Sequence, residues 1–148
     1  MSTLQGGPLS GLRVIEFGQI AAGPFTGMLL ADLGADVVKV ERPDSGDGMR
    51  DWPPFFVNEQ GESYSANFAS LNRNKRSITV DFKDPEQLEA LRKLCGKADI
   101  IIENYRPGCC GSLAWVTMRC RRKIPDWSIA LSPDTAKRAR MRRRALLT

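Results

Sequence analysis

Two strand–helix–strand units constrain the fold of this chain more than any other feature. In the first, the β-branched run LRVIEFG (12–18) predicts a buried strand. GPFTGMLLADLGA (23–35) then predicts a helix with Pro24 in its first turn, and DVVKVER (36–42) predicts a second strand. Such a unit makes its strands parallel and its crossover right-handed.

The second unit repeats this order. SITVDF (77–82) predicts a strand, and DPEQLEALRKLCGKA (84–98) predicts a helix with Asp84 as its N-cap and Pro85 at its first position. DIIIENY (99–105) predicts a strand, and its continuous Ile run indicates burial on both faces. We therefore predict the α/β class, with a Rossmann-like, mostly parallel sheet.

The segment between the two units, residues 42–76, is rich in Gly, Pro, Ser and Asn. We predict a long surface excursion with one short helix near residues 66–71, and a solvated turn at PDSGDG (43–48). Loops of this length in compact domains are usually functional.

Ligands of open parallel sheets bind beyond the carboxyl ends of the strands. Here those ends carry small residues, which let a ligand approach the backbone, and cations that suit phosphate: Arg42, Lys83 and Arg106. The positive end of the first helix points to the same edge. The pattern favours an anionic, nucleotide-like ligand, although polar strand ends are common in α/β proteins. Neither a GxGxxG nor a Walker A motif is present.

The charge of +5 is unevenly distributed. Ten of the 22 Lys and Arg residues, but only two of the 17 acids, follow Gly108. No apolar run is long enough to cross a bilayer, and the first residues do not resemble a secretory signal, so we expect a cytoplasmic protein without a membrane partner. The chain has no His, and its Cys spacing fits no zinc site, so we expect no metal. Cys95 is predicted to be a packed thiol.

Three segments in order resemble the family III CoA-transferases: residues 11–50, NRNKRSITVDFKDPE (72–86) and ADIIIENYRPG (98–108). The resemblance implies that residues 1–108 are the N-terminal, coenzyme A-binding part of such an enzyme. It also implies acyl-CoA and carboxylic acid substrates and a homodimer of interlocked chains. Since later segments do not match as written, we expect this chain to be inactive, poorly stable and unable to interlock.

The resemblance also implies particular contacts with coenzyme A at the strand ends. The backbone of two alanines would approach the ligand, one arginine would bind its phosphates, and two strand ends would line the adenosine end and the channel. In chain order these residues are Ala21 and Ala22, then Arg42, then Val80, Asp81, Phe82 and Lys83, and finally Asn104, Tyr105 and Arg106. For Val80 and Phe82, plain core packing is an equal alternative.

In the family's transferases an aspartate attacks the acyl-CoA carbonyl to form a mixed anhydride, which CoA thiolate then attacks. In the related α-methylacyl-CoA racemases a base removes the proton next to the thioester. Both sets of catalytic residues lie beyond the resemblance, so none is assigned here. A racemase-type enzyme, or a CoA- or nucleotide-binding module without catalysis, remain the alternatives.

Residues 109–148 change character abruptly, with many Arg, Cys and Trp. Back-translated and read one base earlier, they permit the family's next segment: Trp115–Val116 forces Gly, Met118–Arg119 forces Ala, and residues 134–140 permit GYGQTGP. We therefore predict an out-of-frame, disordered basic tail, produced by loss of one base near the Gly108 codon. The alternative is a basic extension that binds nucleic acid, but such arms usually carry Gly, Ser or aromatic residues between their cations.

Overall fold

The computed structural model describes residues 6–104 and the strand Ile129–Ala130. A 3-10 helix lies at Gly48–Asp51. The helices and strands follow in the order β1 (Arg13–Glu16), α1 (Ala22–Asp32), β2 (Asp36–Glu41), β3 (Phe55–Val57), β4 (Ser63–Ser65), α2 (Ala66–Asn72), β5 (Arg76–Thr79), α3 (Pro85–Cys95), β6 (Ile100–Glu103) and β7 (Ile129–Ala130).

Five strands form one parallel sheet in the order β5-β2-β1-β6-β7. This confirms the predicted α/β class and parallel sheet. The chain builds outward from β1 to β2 and β5 on one side, then returns to add β6 on the other. The crevice between β1 and β6 is thus the topological switch point, at which open α/β sheets bind their ligands.

The core lies on both faces of the sheet, because successive residues of each strand point in opposite directions. On one face Ile15, Val38 and Ile101 pack with Leu91 and Cys95 of α3. On the other face the neighbouring residues Val14, Val37 and Ile102 pack with Ala31 of α1. The predicted burial of the β6 isoleucines on both faces is confirmed at Ile101 and Ile102, as is the packed thiol of Cys95.

Local signals place α3 as predicted. The Asp84 carboxylate accepts hydrogen bonds from the backbone N–H of Glu86 and Gln87, Pro85 occupies the first turn, and Gly96 forms the C-cap. The strands are shorter than predicted; β5, for example, ends at Thr79 rather than Phe82.

The excursion between β2 and β5 is more structured than expected. The predicted short helix is confirmed as α2, but the antiparallel hairpin of β3 and β4 was not predicted. The predicted solvated turn at PDSGDG is wrong at Asp47, which is only 1% exposed and accepts hydrogen bonds from two backbone N–H groups. A buried carboxylate requires such partners.

The strand β7 lies inside the segment that the sequence predicts to be disordered. It pairs in parallel with β6, with Ile102 opposite Ile129. At these two residues the structure therefore differs from the prediction. The remainder of 109–148 lies outside the described residues.

Candidate functional site

A tight loop follows β1 at the switch point and leads into α1. An ideal Cβ placed on Gly18 would lie 2.6 Å from the Cα of Gly23, so the two ends of the loop nearly touch. Because any side chain at Gly18 would meet backbone, the small residues here are a requirement of packing. The end of β6 holds the same loop: Asn104 accepts a hydrogen bond from Gln19 N at 2.9 Å and donates one to Gln19 O at 2.9 Å.

The loop contains a strained residue, Ile20, whose φ is +65°. A β-branched residue rarely adopts this left-handed conformation, which persists only where the surroundings impose it. Here Ile20 N donates a hydrogen bond to the Asp47 carboxylate at 3.0 Å. Asp47 lies in the segment that follows β2. Backbone strain of this kind clusters at functional sites.

The helix α1 begins at this loop without a side-chain cap. Its N-cap residue is Ala21, which has no polar side chain to accept a bond from the first turn. Ala21 and Ala22 are both exposed. The amino end of a helix carries free N–H groups and a partial positive charge, so this end can accept an anionic group.

Beneath the loop lies a network of four buried charges: Glu16, Lys39, Asp47 and Lys75. Lys39 Nζ lies 3.0 Å from Glu16 Oε1 and 2.9 Å from Asp47 Oδ2, and Lys75 Nζ lies 2.8 Å from Glu16 Oε2. All four side chains are at most 2% exposed. Two cations thus face two anions. Burial lowers the pKa of Lys75, and the Glu16 carboxylate opposes this effect.

An open cavity of about 210 Å³ lies at the ends of β2 and β5. The Glu41 carboxylate organises its wall by accepting bonds from Arg50 at 2.7 and 2.8 Å, from Ser77 Oγ at 2.6 Å and from Asp47 N at 2.9 Å. Burial alone would raise the pKa of Glu41, but the hydrogen bonds from Arg50 and Ser77 outweigh it and lower the pKa to about 2. The Arg50 guanidinium also lies 3.8 Å from the centre of the Phe68 ring.

The structure brings only some of the predicted site residues together. Ala21, Ala22 and Asn104 lie at the switch point, and Arg42 lines the cavity beside Glu41.

After β5 the arrangement is less suited to ligand contact. Val80 is buried in the core and Phe82 packs against it, as the core-packing alternative holds. The Asp81 carboxylate accepts a bond from the backbone N–H of Lys83, whose side chain is exposed. Tyr105 and Arg106 lie outside the described residues.

The sequence reasoning missed five residues that support this site, namely Glu16, Lys39, Asp47, Arg50 and Lys75. Gln19, Ile20 and Glu41 lie at the predicted strand ends, but no role was predicted for them. A signal was present for two of the five missed residues. Glu16 and Lys39 are charged residues inside apolar strand runs, VIEF and VVKVE, where a charge must be paired to be buried.

The model of CoA-transferase family III matches residues 9–127. The chain belongs to CoA-transferase family III. The match extends beyond Gly108, the residue at which the sequence motifs end. The family resemblance of the N-terminal segments is thereby confirmed.

Among curated relatives, succinate–glutarate CoA-transferase of Agrobacterium fabrum is 50% identical over 101 residues, which is 67% of this chain and 25% of the relative. Mouse succinyl-CoA:glutarate CoA-transferase is 48% identical over 68% of this chain and 22% of its own. Succinyl-CoA:mesaconate CoA-transferase of Haloarcula hispanica is 48% identical over 69% and 26%. The chain therefore spans about a quarter of the length of these relatives.

Solved structures agree with the fold. The CAIB/BAIF family protein of Brucella suis superposes with a TM-score of 0.76 at 43% identity, over 86% of this chain and 33% of that one. Rv3272 of Mycobacterium tuberculosis gives a TM-score of 0.70 at 34% identity. Within the described residues, no helix is long and apolar enough to span a membrane, and no group of His, Cys, Asp and Glu is placed to hold a metal ion.

Proposed function

We propose that the carboxyl edge of β1, β2, β5 and β6 forms part of a coenzyme A site. The observation that carries the proposal is the strained loop at the switch point, which presents an uncapped helix end. Arg42 lies at the same edge, on the wall of the cavity, where a guanidinium suits a phosphate. Asn104 closes the crevice from the β6 side.

We further propose that the protein of which this chain forms a part transfers CoA between an acyl-CoA thioester and a carboxylic acid. An aspartyl mixed anhydride would be the intermediate, and the aspartate lies outside the residues that match the family's motifs. Several relatives carry names that pair succinyl-CoA with another dicarboxylate, such as glutarate or mesaconate. These names favour a dicarboxylic acyl group and the transferase branch over the racemase branch.

For the segment that follows Gly108, we propose that it is read out of frame and contributes nothing to catalysis. The support is that the shifted reading permits the family's next motif in order. Sequencing the DNA across the Gly108 codon tests this. An intact frame there, in the genome and in the transcript, would refute it.

Calorimetry of CoA binding to the full chain tests the coenzyme A site. We expect Arg42→Ala to weaken binding about tenfold, the loss of one charge-assisted phosphate contact. The matched control is Arg76→Ala, because Arg76 pairs with Asp36 on the surface at the opposite, amino end of the strands. An equal loss in both variants would assign the effect to net charge, and no binding by the unchanged chain would reject the site.

A further inference from the structure

We propose that Lys39 and Lys75, joined through Glu16, are positioning residues. They hold the coenzyme A-facing loop, residues 18–24 with the first residues of α1 included, in its strained conformation. The inference rests on the proposed function for its ligand. It goes beyond that function by assigning a task to buried charges that contact no ligand themselves.

Each lysine ammonium lies within 3.0 Å of three oxygen atoms. Lys39 Nζ donates to Glu16 Oε1, lies against Asp47 Oδ2, and donates to the backbone oxygen of Gly18 at 2.7 Å. Lys75 Nζ lies against Glu16 Oε2 and donates to Pro24 O at 2.7 Å and Asn72 Oδ1 at 2.9 Å. The first lysine therefore holds the start of the loop, and the second holds its end.

Glu16 joins the two lysines. Each of its two carboxylate oxygens forms an ion pair with one lysine, so a single carboxylate at the end of β1 links the lysines at the two loop ends. Gly27 of α1 makes room for this carboxylate, since a Cβ at that position would collide with Glu16 Oε2. The network thus also determines how closely α1 approaches the sheet.

The same network reaches the strained residue. Asp47 pairs with Lys39 through Oδ2 and accepts the Ile20 N–H through both oxygens, at 3.0 and 3.2 Å. The neighbouring Gln19 is held by Asn104. Within residues 18–24, the network therefore binds Gly18 O at the start, Ile20 N at the strained centre and Pro24 O at the end. Ala21 and Ala22 remain exposed.

Amide hydrogen exchange on the full chain tests this assignment. In Lys75→Met we expect the exchange of the Gln19 and Ile20 amides to accelerate at least tenfold more than that of Val38 in the sheet. A merely structural role would accelerate all three alike, and that result would overturn the proposal. Arg76→Met, which removes a surface ion pair, is the matched control and should leave the loop amides unchanged.

A second variant covers the case in which Lys75→Met does not fold. Asp47→Asn keeps an oxygen for the Ile20 N–H but loses the charge that faces Lys39. We therefore expect exchange of the Gln19 and Ile20 amides to accelerate more than that of Val38, but less than in Lys75→Met. Unchanged loop exchange in Asp47→Asn would overturn the proposal.

CoA titration separates the two proposals. Where the unchanged chain binds CoA, Lys75→Met should weaken binding about ten- to a hundredfold, because a misplaced loop misplaces its contacts. Unchanged affinity together with loosened loop amides would overturn the positioning role. A third outcome is that the unchanged chain does not bind CoA, while Lys75→Met still accelerates exchange selectively at the loop amides. This would reject the proposed function and support the positioning of the loop by the lysines.

Discussion

The Glu41 carboxylate offers the sharpest test of the electrostatics at this edge. It is 4% exposed, and its pKa is lowered from 4.5 to about 2. At 1.36 kcal/mol per pH unit the difference corresponds to roughly 3 kcal/mol of folding stability. Because the Arg50 side chain is 45% exposed and solvent screens the pair, we discount this to about 2 kcal/mol.

The sign follows from the direction of the shift. A lowered pKa means that the folded state holds the carboxylate charged, so the contribution is complete above about pH 4.5 and is lost as the pH falls toward 2. We expect Glu41→Gln to cost about 2 kcal/mol in urea unfolding at pH 7 and almost nothing at pH 2. The control is Glu89→Gln, since Glu89 is half exposed and pairs with Arg92 of the same helix.

The outcome that refutes this reasoning is a difference between the unchanged chain and Glu41→Gln that does not vary with pH. A direct check is the carbon-13 NMR titration of the Glu41 carboxyl. A midpoint near 2 supports the hydrogen-bonded, charged state, and a midpoint at or above 4.5 contradicts it.

Two further substitutions test packing. Gly27→Ala should destabilise the chain by about 2 kcal/mol in urea unfolding, because the new methyl group would collide with the Glu16 carboxylate. This is expected although Ala favours a helix over Gly by about 1 kcal/mol. A stabilised variant would contradict the described packing. Leu29→Lys and Phe56→Lys, at side chains 46% and 54% exposed, should reduce the binding of an apolar dye without lowering the unfolding midpoint. A large fall in the midpoint would show that these side chains are packed in solution.

The sheet and α3 could be predicted because their signals are local. A β-branched run, an N-cap Asp followed by Pro, and a Gly after the last turn each act within a few residues, and the structure has them as expected. The hairpin of β3 and β4 was missed because it gives no such local signal. Its strands are three residues each and their side chains are mostly exposed, so the sequence shows no regular alternation of apolar and polar residues.

The candidate site could be predicted only in part. The position of the ligand edge follows from the parallel topology, and Arg42, Ala21 and Asn104 lie there. The supporting charges could not be paired from the sequence, because the rest of the first strand–helix–strand unit and almost the whole excursion lie between Glu16 and Lys75. Three-dimensional contact, rather than spacing along the chain, decides which buried charges neutralise each other.

The amino end of α1 is held both by packing and by these buried charges. One side of α1 buries Gly27, Met28 and Ala31 against the sheet, while Phe25, Leu29 and Leu33, spaced four residues apart, are 45–49% exposed. A helix that is apolar on both sides is normally covered on both sides. Within the described residues, α1 also contacts α2, but this apolar stripe stays exposed. Directional bonds therefore add to packing at its amino end: Lys39 donates to Gly18 O, Lys75 donates to Pro24 O, and Glu16 pairs with both lysines.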